Sequence, residues 1–162
     1  MNELVPLGFE VPEGGLSTEG LRVRVQQLED AMFAAPEVQV QVPVVSRFAR
    51  GLYAREVTLP EGIVATGKIH KYEHLVFITK GDISVLTEKG VVRMKAPCTF
   101  VSPPGTKRAV YCHEETVFTT VHATDFKTPE ECEANLVTDT FDKYFAFVEA
   151  QKLLEEKKEC PT

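Results

Sequence analysis

The side chains best suited to chemistry are the four histidines, which all lie between residues 70 and 122. His70 and His74 stand in the stretch GKIHKYEHLVFITKG, whereas His113 and His122 come about forty residues later. Imidazole nitrogens are ligands for Zn, Fe, Ni and Cu, and three of them leave a coordination position open. The sequence therefore suggests His70, His74, His113 and His122 as candidate ligands of one divalent transition metal (Zn, Fe, Mn or Ni).

The spacing of His70 and His74 constrains how they could share an ion. On a regular strand both side chains would lie on one face, together with Tyr72. They would then be roughly 13 Å apart, too far for a common metal. We therefore expect a metal pair only if the backbone turns or bulges near Lys71. The same residues match the H-x-x-E-H signature of zinc proteases, but that chemistry needs a helix, and the residues that follow favour a strand.

The elements that must position these residues are mostly strands. Short runs rich in Val, Ile, Thr, Phe and Tyr are punctuated by Gly or Pro about every ten residues between 47 and 125. This pattern is typical of an all-β sandwich or barrel. The alternation of Val38, Val40 and Val42 with glutamines predicts one more strand, which Pro43 confines to an edge or an end.

Helices are predicted on both sides of this β region. Leu21, Val25, Leu28 and Met32 form one apolar stripe after a capping Ser17. A further helix start is predicted at Thr128, followed by a last helix from about residue 140 to 156. We therefore divide the chain into an N-terminal arm and helix (1–37), a β-barrel (38–125) and a C-terminal helical extension (126–162).

Composition excludes several classes of protein. The net charge is −6 and no basic cluster is long enough to follow a phosphate backbone, so no nucleic-acid partner is expected. No apolar run approaches the ~20 residues that span a bilayer, and no signal peptide is recognised, so a cytoplasmic location is predicted. The four cysteines show no close pairing, which favours free thiols, although the fold could still join Cys98 to Cys112.

The stretch around His70 resembles the first sequence motif of the cupin superfamily, G-x5-H-x-H-x3,4-E-x6-G. Gly81 matches the closing glycine, and His70 matches the second histidine. His74 stands where the family has glutamate, and Lys68 stands where it has the first histidine. The second motif, G-x5-P-x-G-x2-H, is matched by Pro103 and Gly105.

This resemblance implies a mainly β, single jelly-roll (cupin) barrel, and it also points to a cationic pocket. Arg108 occupies the histidine position of the second motif, opposite Lys68. A guanidinium suits carboxylate or phosphate groups, so a small anionic ligand is expected. The residues predicted to bind it are Lys68, Tyr72, Lys107, Arg108 and Tyr111. The alternative is that Arg108 and Lys68 form structural salt bridges to Glu73, Glu114 or Glu115.

The same stretches also resemble small cupin-like proteins carried in tailed-phage genomes. That likeness implies a phage-type protein without catalytic activity, acting in binding or assembly in the host cytoplasm or the virion, with other phage proteins as partners. The rival hypothesis is a metal-dependent cupin enzyme of oxygenase or isomerase type. The N-terminal arm and the aromatic C-terminal helix favour a homo-oligomer in either case.

Overall fold

Residues 13–159 are described in a computed structural model of the protein. The predicted mainly β barrel, with one helix before it and two after it, is confirmed. The helices are Thr18–Phe33 (α1), Pro129–Leu136 (α2) and Phe141–Glu159 (α3), and Pro36–Val38 forms a short 3-10 helix. The strands are Val44–Ala49 (β1), Leu52–Leu59 (β2), Val64–Thr66 (β3), Ile69–His70 (β4), His74–Lys80 (β5), Asp82–Thr87 (β6), Gly90–Lys95 (β7), Cys98–Ser102 (β8), Ala109–Cys112 (β9), Thr116–Ala123 (β10) and Val137–Thr138 (β11).

Two antiparallel sheets face each other, as in a jelly roll. One has five strands in the order β1-β2-β10-β5-β8, and the other has four in the order β3-β9-β6-β7. The chain passes repeatedly from one sheet to the other, so strands far apart in sequence become neighbours. Between the sheets lies an apolar core built around Leu59, Ile78, Ile83, Val85 and Cys112.

Helix α1 packs on the outer face of the four-stranded sheet. Its first turn is capped by Ser17, whose hydroxyl oxygen accepts a hydrogen bond of 3.0 Å from the Gly20 amide. The predicted stripe is confirmed where it meets the sheet, because Leu21 and Val25 are buried against Leu86 and Ala109.

The C-terminal extension closes one end of the barrel. A capping box at Thr128 starts α2, and Cys132 and Leu136 of this helix pack against Tyr53. Strand β11 then pairs with β4 in antiparallel register, with Val137 opposite His70. The segment after the barrel therefore forms part of the surroundings of the first histidine.

Helix α3 docks through Tyr144, which lies against the turn at Gly105. Gly105 has a φ of +73°, and an added Cβ would be 2.6–2.7 Å from the Tyr144 ring. The Gly105 amide also donates a hydrogen bond of 2.8 Å to the His70 carbonyl oxygen. Only glycine suits this point, where a left-handed turn, an aromatic ring and the β4 backbone meet.

One strand prediction is wrong. Residues 39–43 form no strand, and β1 begins only at Val44, after Pro43. The Pro43 carbonyl oxygen accepts a hydrogen bond from the Thr58 amide, but proline has no amide hydrogen to continue the ladder. Val40 is accordingly 56% exposed, although the valine–glutamine alternation indicated a half-buried strand.

Cys98, Cys112 and Cys132 are free thiols, so Cys98 and Cys112 are not joined. Cys160 and most of the predicted N-terminal arm (residues 1–12) lie outside the described residues. No helix within residues 13–159 is long and apolar enough to cross a membrane.

Candidate metal centre

His70 and His74 meet because the chain bends sharply between them. His70 ends β4, a bend follows at Lys71 and Tyr72, and His74 begins β5. The two rings are stacked with centroids 3.9 Å apart and planes inclined by 25°. The irregular backbone that a shared ion would require is therefore present at Lys71.

His122 joins them from β10, a central strand of the five-stranded sheet. Its ring centroid lies 4.5 Å from that of His74 and 5.0 Å from that of His70. Each of the three side chains offers a ligand nitrogen, and these nitrogens lie within 4.8 Å of one another. His74 and His122 are buried and His70 is partly buried.

Burial and proximity keep all three imidazoles neutral. Burial, followed by the neighbouring His74 and His122, lowers the pKa of His70 to about 2, and the Arg55 guanidinium contributes in the same direction. Burial and then His74 lower the pKa of His122 to about 4. Burial also lowers the pKa of His74, and the hydrogen bond to the Tyr72 carbonyl oxygen, which raises this pKa, offsets only part of the effect. Neutral imidazoles keep the lone pair that a metal ion needs.

The hydrogen bonds of the cluster leave room for an ion. His70 Nδ1 and His122 Nε2 are 3.1 Å apart and share one hydrogen bond. His122 Nδ1 is buried and has no hydrogen-bond partner among the described residues. Two nitrogens bound to one tetrahedral zinc lie ~3.4 Å apart, so small side-chain rotations would bring the 4.8 Å spread into range. The donor set therefore fits a divalent transition metal.

The fourth candidate ligand, His113, is not brought into this cluster. It follows β9, in the other sheet, and its Nε2 lies 2.7 Å from the Ser84 hydroxyl oxygen. Its ring also meets the edge of Tyr111, with centroids 4.9 Å apart. His113 is thus already hydrogen-bonded to the four-stranded sheet, which faces the sheet of His74 and His122 across the core.

The five residues predicted to bind an anion are not gathered at one place either. Lys68 is ion-paired with Glu133 of α2. Tyr72 is 45% exposed and lies edge-on to Phe147 of α3, while its carbonyl oxygen accepts from His74.

The other three belong to the region near α1. Lys107 is buried and pairs with Glu29 at 2.5 Å. Tyr111 packs against the cluster that Leu21 and Val25 of α1 form with Leu86 and Ala109. Arg108 is partly exposed, and its carbonyl oxygen accepts from the Gly67 amide. Lys68 and Lys107 therefore form salt bridges to helices that the motif does not include. The partner of Lys68 is Glu133, and not one of the three glutamates named in the alternative.

Two cavities lie outside the histidine cluster. One, of about 340 Å³, is lined by Lys68, Lys71 and Lys143, together with acidic and apolar residues of α2, β11 and α3. The other, of about 240 Å³, lies between α1 and the turn at Pro103 and Pro104. Neither is lined by His70, His74 or His122.

Sequence analysis overlooked Arg55 on β2. Tyr53, Arg55, Val57 and Leu59 alternate along this strand, and the other three are apolar or aromatic residues that pack in the barrel clusters. A charged residue at the second position of such a face is the signal that could have revealed it. The Arg55 charge is close enough to His70 to help lower its pKa.

No family model matches the sequence, and no curated protein matches it. Several solved structures are similar. A cupin domain from Bordetella pertussis Tohama I is 17% identical over 53% of this chain and 96% of its own, with a TM-score of 0.42. A cupin domain from Schizosaccharomyces pombe is 24% identical over 64% of this chain and 79% of its own, with a TM-score of 0.44. KdgF from a Halomonas species is 18% identical over 54% of this chain and 84% of its own, with a TM-score of 0.45. With likenesses at this level, an account of function has to rest on the chain's own residues.

Proposed function

We propose that this protein is a metal-dependent enzyme of cupin type that holds one divalent transition metal at His70, His74 and His122. One observation carries the proposal: three neutral imidazoles from three different strands, β4, β5 and β10, bring their ligand nitrogens within 4.8 Å of one another. Unpaired polar groups are costly to bury, so a buried histidine nitrogen without a partner favours a site meant for a ligand.

The chain's own residues prepare the centre. Burial removes the charge of the imidazoles, and the Tyr72 carbonyl oxygen accepts a hydrogen bond of 3.2 Å from His74 Nδ1. This hydrogen bond leaves His74 Nε2 as the free lone pair and holds the ring in place. A metal bound by three protein nitrogens would supply a Lewis-acid position open to substrate. Oxygenase or isomerase chemistry on a small anionic substrate is the reaction class that we propose.

Metal analysis of protein made without a histidine tag tests this function. We expect about one Fe, Zn, Mn, Ni or Cu per chain, and we expect its loss in the His70→Ala, His74→Ala double variant. His113→Ala is the matched control, because it removes an imidazole of the barrel that lies outside the cluster. A wild-type protein that carries no metal and takes up none would end the proposal.

A non-catalytic role in binding or assembly is the second candidate. It is favoured by the apolar outer face of the five-stranded sheet, where Leu75 and Val101 are adjacent and exposed. The phage origin, the virion or host-cytoplasmic location and the phage partners stay predictions. Association of two or more copies of the chain through this face is the part of the proposal that a measurement of the oligomeric state tests directly.

A further inference from the structure

Arg55 lies on the same face of the same sheet as His122. On β2, side chains two residues apart share a face, so Arg55 is aligned with Tyr53 and Val57. Across the ladder to β10, Tyr53 is opposite His122 and Arg55 is opposite Thr120. Arg55 is therefore two residues along β2 from Tyr53, which is the residue opposite the candidate metal ligand His122.

The guanidinium of Arg55 is exposed and has no partner within residues 13–159. No hydrogen bond or ion pair joins it to a described residue, and Glu133, an acidic group that its charge reaches, is ion-paired with Lys68. Thr120, the residue opposite Arg55, is two residues along β10 from His122, whose ring centroid is 4.5 Å from that of His74. A free cation thus lies beside the histidine cluster on a face that is otherwise largely apolar.

From this juxtaposition we propose that Arg55 anchors the carboxylate of a ligand whose other end occupies the open position of the three-histidine centre. This inference rests on the proposed function, because it assumes a metal there. Guanidinium presents two parallel N–H donors that match the two oxygens of a carboxylate. One unpaired arginine balances one negative charge, which favours a monocarboxylate over a phosphate dianion. Arg55 would then select the substrate and orient it, leaving the metal to hold its reacting end.

Cobalt-loaded protein and thiol ligands test the inference without an activity assay. A thiolate bound to Co²⁺ produces a charge-transfer absorption band, which reports occupancy of the open position. The thiol ligands are mercaptoacetate, 3-mercaptopropionate and 4-mercaptobutyrate, in which the carboxylate lies at three different distances from the sulfur. The corresponding amide of each acid is the uncharged control ligand. All titrations are anaerobic, and cobalt stoichiometry is measured on every sample.

The quantity compared is the ratio of acid affinity to amide affinity at each length, so that differences in thiol basicity cancel between variants. For at least one length we expect this ratio to fall about tenfold or more in Arg55→Gln, with partial recovery in Arg55→Lys. Arg47→Gln is the matched control, because Arg47 is on the opposite face of the same sheet and is paired with Glu56 at 3.2 Å. Cobalt stoichiometry should be equal in all four proteins.

Two results would overturn the inference, and they differ from failure of the proposed function. If wild-type protein binds cobalt and the acid-to-amide ratio is unchanged in Arg55→Gln at every length, Arg55 is not the anchor. An equal fall in Arg47→Gln would also overturn it, since that result indicates general surface charge. If wild-type protein binds no cobalt, the proposed function itself fails, and the inference fails with it.

Discussion

At the scale of single residues, the unusual feature is three imidazoles in contact and without charge. With ring centroids 3.9–5.0 Å apart, protonating one ring disfavours protonation of the others, and burial adds to this effect. The same neutrality that suits metal binding makes the metal-free protein sensitive to acid. A histidine that must stay neutral in the folded state takes up a proton readily once the chain unfolds.

The free energy of unfolding of metal-free protein should therefore fall as the pH falls below about 6.5. The unfolded chain binds protons on His70 and His122 near that pH, while the folded protein does not until about pH 2 and about pH 4, respectively. The sign is a loss of stability towards acid, of about 1.4 kcal/mol per pH unit for each histidine. Urea denaturation between pH 7 and pH 5 in the presence of a chelator measures it.

The His70→Gln, His122→Gln double variant is the control for this pH dependence and should flatten it. Asp82 does not interfere in that range, because its hydrogen bond and ion pair with Arg93, at 2.9 Å, lower its pKa to about 2. The contribution of Asp82 is lost only below its ordinary pKa of 3.8. Equal slopes for wild type and the double variant between pH 7 and pH 5 would contradict the assignment.

At the scale of elements, one buried lysine ties the flanking helices to the barrel. The Lys107 side chain is 1% exposed and its ammonium pairs with Glu29 of α1 at 2.5 Å. The same nitrogen lies 3.4 Å from the carbonyl oxygen of Asp139, just before α3. Because the pair is buried, removing one partner leaves an uncompensated charge, which is far more costly than losing a surface ion pair.

Lys107→Met should accordingly destabilise the protein by about 3 kcal/mol, because the Glu29 carboxylate, whose side chain is 15% exposed, would lose its ion pair and keep only hydrogen bonds from Thr66 and Gln26. Lys80→Met is the matched control. Lys80 pairs with Glu115 at 2.6 Å, but both side chains are more than half exposed, so the expected loss is below about 1 kcal/mol. Urea denaturation at neutral pH compares them, and similar losses for both variants would show that the Lys107 pair is not a structural tie.

At the scale of the whole molecule, the outer face of the five-stranded sheet carries exposed apolar side chains that no element within residues 13–159 buries. Leu52, Leu75 and Val101 are 46%, 42% and 55% exposed. They share one face of the sheet. Leu75 is opposite Val101 on one side and Val121 on the other. Val121 is in turn opposite Ala54, which is two residues from Leu52 on β2. A contiguous patch of this kind favours association, and we propose a second copy of the chain as its partner.

Sedimentation equilibrium should then give a dimer, in which a standard interface would bury about 800 Å² on each subunit. The Leu75→Lys, Val101→Lys double variant should shift the protein to monomer without unfolding it. Leu153→Lys with Leu154→Lys is the control, because these exposed leucines are on α3 and not on the sheet. A wild-type monomer at tens of micromolar would leave the face to a different partner.

Much of this architecture follows from short-range patterns in the sequence. Ser17 and Thr128 mark the helix starts because their side chains accept from nearby amides. Regular punctuation by Gly and Pro indicates an all-β barrel, and the residues around His70 identify the segment that holds two of the three clustered histidines. The one strand that was wrongly predicted, at residues 38–42, had the right alternation but lacked a partner for hydrogen bonding before Pro43.

Only the tertiary structure decided which distant residues meet. Sequence treats His113 and His122 alike, but the strand order puts His122 beside His74 and leaves His113 to Ser84. Likewise, Glu29 reaches Lys107 only because α1 lies across the four-stranded sheet. Period and composition determine which face a side chain takes. Its neighbours depend on strand order and register across tens of residues, which only the packing of the whole chain sets.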